Sequence, residues 1–152
     1  MAGTHDFFLL SRSEHPFSSY ANFINDPRAV LLDDAIILYL MDSLEWIPSF
    51  APHRGEPSTG LDHLGVTIID TDGAPAARRI FSAWADLFSA GPPVLRLTER
   101  GTRIVGQPSD LAGIEPLQID RDETVDRLRT LADYADRVAN SKDDLYILHL
   151  GV

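Results

Sequence analysis

The chain has 152 residues, 44% of them hydrophobic and 24% charged, with a net charge of −10 and no cysteine. That length and balance fit one globular α+β domain with one core, and argue against disorder or a repetitive architecture. The missing cysteine excludes disulfides, thiolate metal sites and cysteine nucleophiles, and the acidic surplus makes nucleic acid and anionic lipid poor partners.

In chain order, residues 5–10 form an apolar run suited to a first strand, and residues 18–25 suit a brief helix stopped by Pro27. Residues 33–47 begin with N-cap types and are apolar around most of the circumference, which predicts a largely buried helix ended by Pro48. The stretch 48–60, PSFAPHRGEPSTG, is too rich in proline and glycine for a helix and long for a connection, so it is expected to be a functional loop. Residues 64–69 are β-branched and apolar on both faces and read as an inner strand.

A helix over 76–90 follows, with Ala77, Ile80, Phe81, Trp84, Leu87 and Phe88 expected on one inward face. Gly91, Pro92 and Pro93 stop it. Residues 94–98 and 102–105 are expected to pair as a hairpin through a Glu99-Arg100-Gly101 turn. After a loop at 108–115 and a short strand at 116–119, Asp120 and Glu123 open a last helix running to about residue 140, with Val125, Leu128, Ala132, Ala135 and Ala139 inward. A strand over 145–150 ends the chain, expected to be tied into the sheet. The expected fold is a single α+β domain over 1–152, a mixed sheet of about five or six strands with packed helices. No apolar run approaches the roughly 18 residues of a membrane span, and the N-terminal stretch lacks a signal-peptide pattern, so a cytoplasmic location is expected.

The strand at 64–69 runs into Asp70-Thr71-Asp72-Gly73. A hydrophobic strand ending in Asp-x-Asp-Gly resembles the first motif of the haloacid dehalogenase superfamily. That resemblance implies Asp70 as a nucleophile on phosphorus and Asp72 as acid and base beside a metal ion. The companion lysine and acidic pair could only be Lys142, Asp143 and Asp144, which precede the last strand and, in a parallel sheet, sit at the wrong end. A structural reading uses the same letters: Asp72 caps the next helix by accepting the Ala74 N–H, Pro75 needs no partner in the first turn, and Asp70 adds charge near the helix dipole. The capping reading is preferred, which leaves a metal-dependent phosphatase as the alternative; otherwise no metal and no cofactor is expected.

The five histidines, His5, His15, His53, His63 and His149, show no metal-type spacing beyond the adjacent Asp62-His63. His149 is expected to be a hydrogen-bonded, partly buried strand histidine. On the last helix Asp122, Asp126, Asp133 and Asp136 fall on the outward stripe, interrupted by Arg129 and Arg137, with Asp133 placed to pair with Arg137. The stripe either is a solvated face or contacts a basic protein. Phe50, His53 and Arg54 in the 48–60 stretch are a second candidate contact. The segments LDHLGVTII, WADLF followed by GPP, and LYILHLG together resemble small immunity proteins of bacterial polymorphic toxin systems. The resemblance implies a non-enzymatic protein that binds and neutralises a cognate toxin, and the net charge of −10 leads to the expectation of a basic toxin domain as the partner.

Overall fold

Two features of the sequence organise the molecule: apolar alternation in the first and last strands, and aspartate caps at the starts of two of the three helices. The computed structural model describes residues 3–14, 20–23, 25–98 and 117–151. Its elements in order are β1 (Thr4–Ser11), β2 (Val30–Asp33), α1 (Asp34–Leu44), β3 (Pro48–Ala51), β4 (Glu56–Thr59), β5 (Val66–Ile69), α2 (Ala74–Ser89), β6 (Val94–Leu97), β7 (Leu117–Asp120), α3 (Arg121–Ala139) and β8 (Leu145–Leu150), with one 3-10 turn at Tyr20–Phe23. The α1 helix starts where the Asp33 carboxylate accepts the Ala35 N–H at 2.8 Å, and α3 where Asp120 accepts the Glu123 N–H at 2.8 Å. Glu123 completes no reciprocal box, because its carboxylate is held by Arg127.

The six-stranded sheet has the order β2-β1-β8-β5-β3-β4, and β6 and β7 form a separate two-stranded sheet. The α+β class and the strand number agree with the sequence reading. Every pairing is antiparallel, however, where a mixed sheet was expected. The reason is topological: α2 and α3 do not return the chain to a parallel neighbour of the strand before them, as a crossover helix does. No helix among the described residues is long and apolar enough to cross a membrane.

Strand alternation sends side chains to two faces. Phe7 of β1, Leu32 of β2, Ile69 of β5 and Ile147 of β8 pack with all three helices in the main core. Phe8, Leu10, Ile68, Tyr146 and Leu148 form a smaller cluster on the opposite face, where Phe23 closes edge-on over Phe8. The buried stripe of α2 is Ala74, Ala77, Phe81, Ala85 and Phe88, rotated from the expected one: Ile80 and Trp84 lie at its margin, and Leu87 is 60% exposed. Helix α2 packs chiefly on α3, whose inward residues include Ala132 and Ala135 as expected, while Ala139 is exposed and Leu131 and Val138 are buried in addition. Small alanines on both stripes let paired helices pack closely.

Two other expectations are corrected. The 48–60 stretch is a β-hairpin, β3–β4, at the sheet edge; Pro48 opens a strand and Pro57 lies in the edge strand, the two positions where a missing donor is tolerated. The strand β2, which was not anticipated, is only four residues long and runs straight into the α1 cap. The second strand of the hairpin expected at 94–105 and the loop at 108–115 lie outside the described residues; among the described residues β6 pairs with β7.

Candidate functional site

The acidic turn follows β5, but the cap is not the expected one. Asp70 Oδ1 accepts the Asp72 N–H at 2.9 Å, and the Asp70 carbonyl accepts the Ala74 N–H at 2.9 Å. Gly73 occupies the N-cap position and no side chain caps it. A Cβ on Gly73 would stand 1.9 Å from the Pro48 carbonyl oxygen, so glycine is set by close backbone approach. Thr71 Oγ1 donates to Asp143 Oδ1, and this corrects the placement of the companion loop: because β5 and β8 are antiparallel, residues before β8 lie at the end of β5, not at the far edge. Asp70 and Asp72 nevertheless join no third carboxylate or imidazole as a ligand cluster among the described residues. We expect Asp70→Ala to lower stability by about 1 kcal/mol, Asp70→Asn to restore most of it because the amide oxygen still accepts, and Asp72→Ala to stay within about 0.5 kcal/mol of wild type. Urea unfolding of the three variants tests this order.

On α3 the aspartate stripe divides into two kinds. Asp122 is held by Arg121 at 2.7 Å, a hydrogen bond that lowers its carboxyl below the usual range, and Asp136 pairs with Arg78 of α2 at 3.4 Å. Asp126 and Asp133 are exposed, and among the described residues neither carboxylate has a cationic partner; the expected Asp133–Arg137 pair is not formed.

Phe50, His53 and Arg54 come together at a pocket of about 290 Å³ beside the β3–β4 hairpin, with Ser49, Asp62 and Thr67 in its wall. Arg54 is engaged locally, 3.5 Å from Glu56, and His53 stands 3.9 Å from Asp62.

The most connected polar group lies elsewhere, and sequence spacing does not reveal it. His5 and His149 occupy the helix-facing side of neighbouring strands β1 and β8, where Phe7 opposes His149. Both are fully buried, and His5 Nδ1 lies 2.8 Å from His149 Nε2 with the rings stacked. Asp34, the first residue of α1, brings Oδ1 to 3.0 Å from His5 Nε2 and 3.2 Å from His63 Nε2. Its position follows from β1 pairing with β2 and from the Asp34 N–H bonding Gly3.

His63 is delivered by the turn before β5. The Asp62 N–H donates to Thr67 Oγ1, the Asp62 carboxylate accepts the Leu64 N–H, and the Gly151 N–H bonds the Gly65 carbonyl. A Cβ at Gly151 would lie 2.3 Å from the His63 carbonyl oxygen, so this turn passes directly over a glycine. His149 Nδ1 and His63 Nδ1 are buried without a hydrogen-bond partner among the described residues. With Asp34 as a carboxylate, His5 and His63 donate from Nε2, and His149 Nε2–H donates to His5 Nδ1; the orphan atoms are then lone pairs, which cost less than orphan N–H groups.

Burial lowers the His5 imidazole below the ordinary histidine value, against the raising effect of the Asp34 hydrogen bond. Burial lowers His149 much further, and His5 and His63 push in the same direction. Such histidines are neutral when folded but charge in the unfolded chain below about pH 6.5. Their stabilising contribution is therefore complete above that pH and is lost as pH falls toward the folded values. His149, lowered furthest, adds a slope approaching about 1.4 kcal/mol per pH unit below pH 6.5, and His5 adds a smaller one in the same direction. Urea unfolding between pH 7.5 and 5.5 is expected to show this loss, and His149→Gln to flatten it. No protein family, curated protein or solved structure matches the chain.

Proposed function

We propose that the chain is a protein-binding module of the immunity-protein type, which binds and neutralises a basic toxin domain. The observation that carries this reading is the pair of unneutralised carboxylates, Asp126 and Asp133, on the exposed ridge of α3 in a chain of net charge −10. Opposite charge on a partner would steer encounter along that ridge. Large apolar side chains left in solvent, Trp46 at 71% and Leu64 at 76% exposure, are suited to the dry centre of a contact.

Charge reversal tests it. Asp126→Lys with Asp133→Lys is expected to slow association with the product of the adjacent gene by about tenfold or more at low salt, to reduce its salt dependence, and to leave the fold intact. Unchanged rates at low and high salt would move the contact to Phe50, His53 and Arg54. Failure to bind that product at all would remove the reading.

A metal-dependent phosphatase using Asp70 and Asp72 is the second reading, favoured by one observation: the Lys142–Asp144 loop stands beside the acidic turn through Thr71 and Asp143. Magnesium-dependent phosphatase activity abolished by Asp70→Asn would put it first.

A further inference from the structure

The cluster at the end of β1 and β8 has a geometry that hydrogen bonding alone does not require. His5, Asp34 and His63 each offer one ligand atom within 4.8 Å of the others, and Asp34 Oδ1 is 3.0 Å from His5 Nε2 and 3.2 Å from His63 Nε2. Ligands about 2.0–2.1 Å from a tetrahedral zinc ion are separated by about 3.3–3.4 Å. Closing on an ion therefore takes only small side-chain shifts. We propose that His5, Asp34 and His63 form a binding site for a divalent first-row transition-metal ion.

The donor set selects that class. Two imidazole nitrogens and one carboxylate oxygen suit zinc, iron(II), cobalt(II) or nickel(II), whereas calcium and magnesium take oxygen ligands. The ligands come from three elements: His5 from an inner strand, Asp34 from the first turn of a helix, His63 from a turn pinned by Thr67 and Gly151. His63 and Asp34 are 34% and 27% exposed, so an ion can enter from solvent and keep water in its remaining position.

His149 is the positioning residue. When His5 Nε2 gives its lone pair to the ion, the His5 proton moves to Nδ1 and donates to His149 Nε2, at 2.8 Å, and this fixes the ring. His149 then carries its proton on Nδ1, as does His63 once its Nε2 binds the ion, and neither Nδ1 has a hydrogen-bond partner among the described residues. These two orphan donors limit affinity, so micromolar zinc binding is expected where carboxylates beside them would hold the ion more tightly.

The experiment uses the purified chain, stripped with a chelator and titrated with zinc by calorimetry and with cobalt(II) by visible absorption. One zinc per chain and a cobalt spectrum of low coordination number are expected. Both should weaken by about 100-fold or more in His63→Ala, since loss of even an outer partner costs about 10–100-fold. His53→Ala, at the exposed His53–Asp62 pair, should bind as wild type. Asp34→Asn, which keeps the shape and the hydrogen-bond acceptor, should also lose binding, and circular dichroism confirms that each variant is folded. A wild-type chain that takes up no zinc, or a folded His63→Ala or Asp34→Asn variant that binds it equally well, overturns the site. This outcome is independent of whether the adjacent-gene product binds.

Discussion

Replacing Phe81 with alanine is expected to cost about 3–5 kcal/mol, the range for removing a buried aromatic side chain. Phe81 is fully buried on the inward stripe of α2 and meets Phe7 of β1 edge-to-face at 6.2 Å and 85°. Truncation would remove the ring that joins the helical layer to the sheet and leave a cavity where neither backbone can close in. Against a total stability of about 5–15 kcal/mol for domains of this kind, that is about a fifth of the whole or more. Trp84 is expected to matter less. It is only half-buried, its indole N–H donates to Ser43 Oγ at 2.8 Å, and its ring rests on Tyr39 and Phe88 at the rim of the core. Urea unfolding of both variants decides the order, and a smaller loss for Phe81→Ala than for Trp84→Ala would mean that the stripe of α2 is misassigned.

Gly73→Ala is expected to cost about 3 kcal/mol, at the top of the usual range for overpacking. The backbone there has φ −88°, which any residue adopts, so conformational freedom is not the reason for glycine. The obstacle is the Pro48 carbonyl oxygen, 1.9 Å from where the new methyl would sit, with Ile69 Cγ2 at 3.0 Å on another side. Backbone cannot rotate away as a side chain can. Either the start of β3 or the first turn of α2 has to move, and both are tied to the core. An alanine variant with an unchanged unfolding midpoint would show that these two segments are not held against each other.

Much of the fold was legible because it obeys local rules. Helices α2 and α3, most of the α3 stripe, the caps Asp33 and Asp120, the inner strand β5 and the terminal strand β8 follow from periodicity and end signals, while the buried stripe of α2 is rotated from the expected face. The 48–60 stretch misled because prolines argue against an inner strand but not against an edge, and nothing local says which strand is the edge. The acidic turn was misread: the N-cap is Gly73, the Ala74 N–H assigned to the Asp72 side chain goes to the Asp70 carbonyl, and the Asp70 side chain accepts the Asp72 N–H instead. The companion loop was set at the wrong end because strand direction in the sheet is a tertiary property.

The histidine cluster was not legible from spacing, since its members are joined only when β1 meets β8 and α1 starts against β1. One signal did exist. His5 continues the same face as Phe7, and His149 the same face as Ile147, so two apolar strand faces each end in a histidine. Reading the two strands as neighbours would have placed those rings together.

The place of β8 between β1 and β5 also bears on how the chain is made. During synthesis the early strands emerge long before the strand that joins them. Until residues 145–150 leave the ribosome, β1 has only β2 beside it and β5 only β3, each with an open backbone edge. The sheet therefore cannot close progressively from β1 onward; it completes only once β8 has been made, which leaves the open edges of β1 and β5 exposed to aggregation until then and makes cooperativity depend on that joining strand.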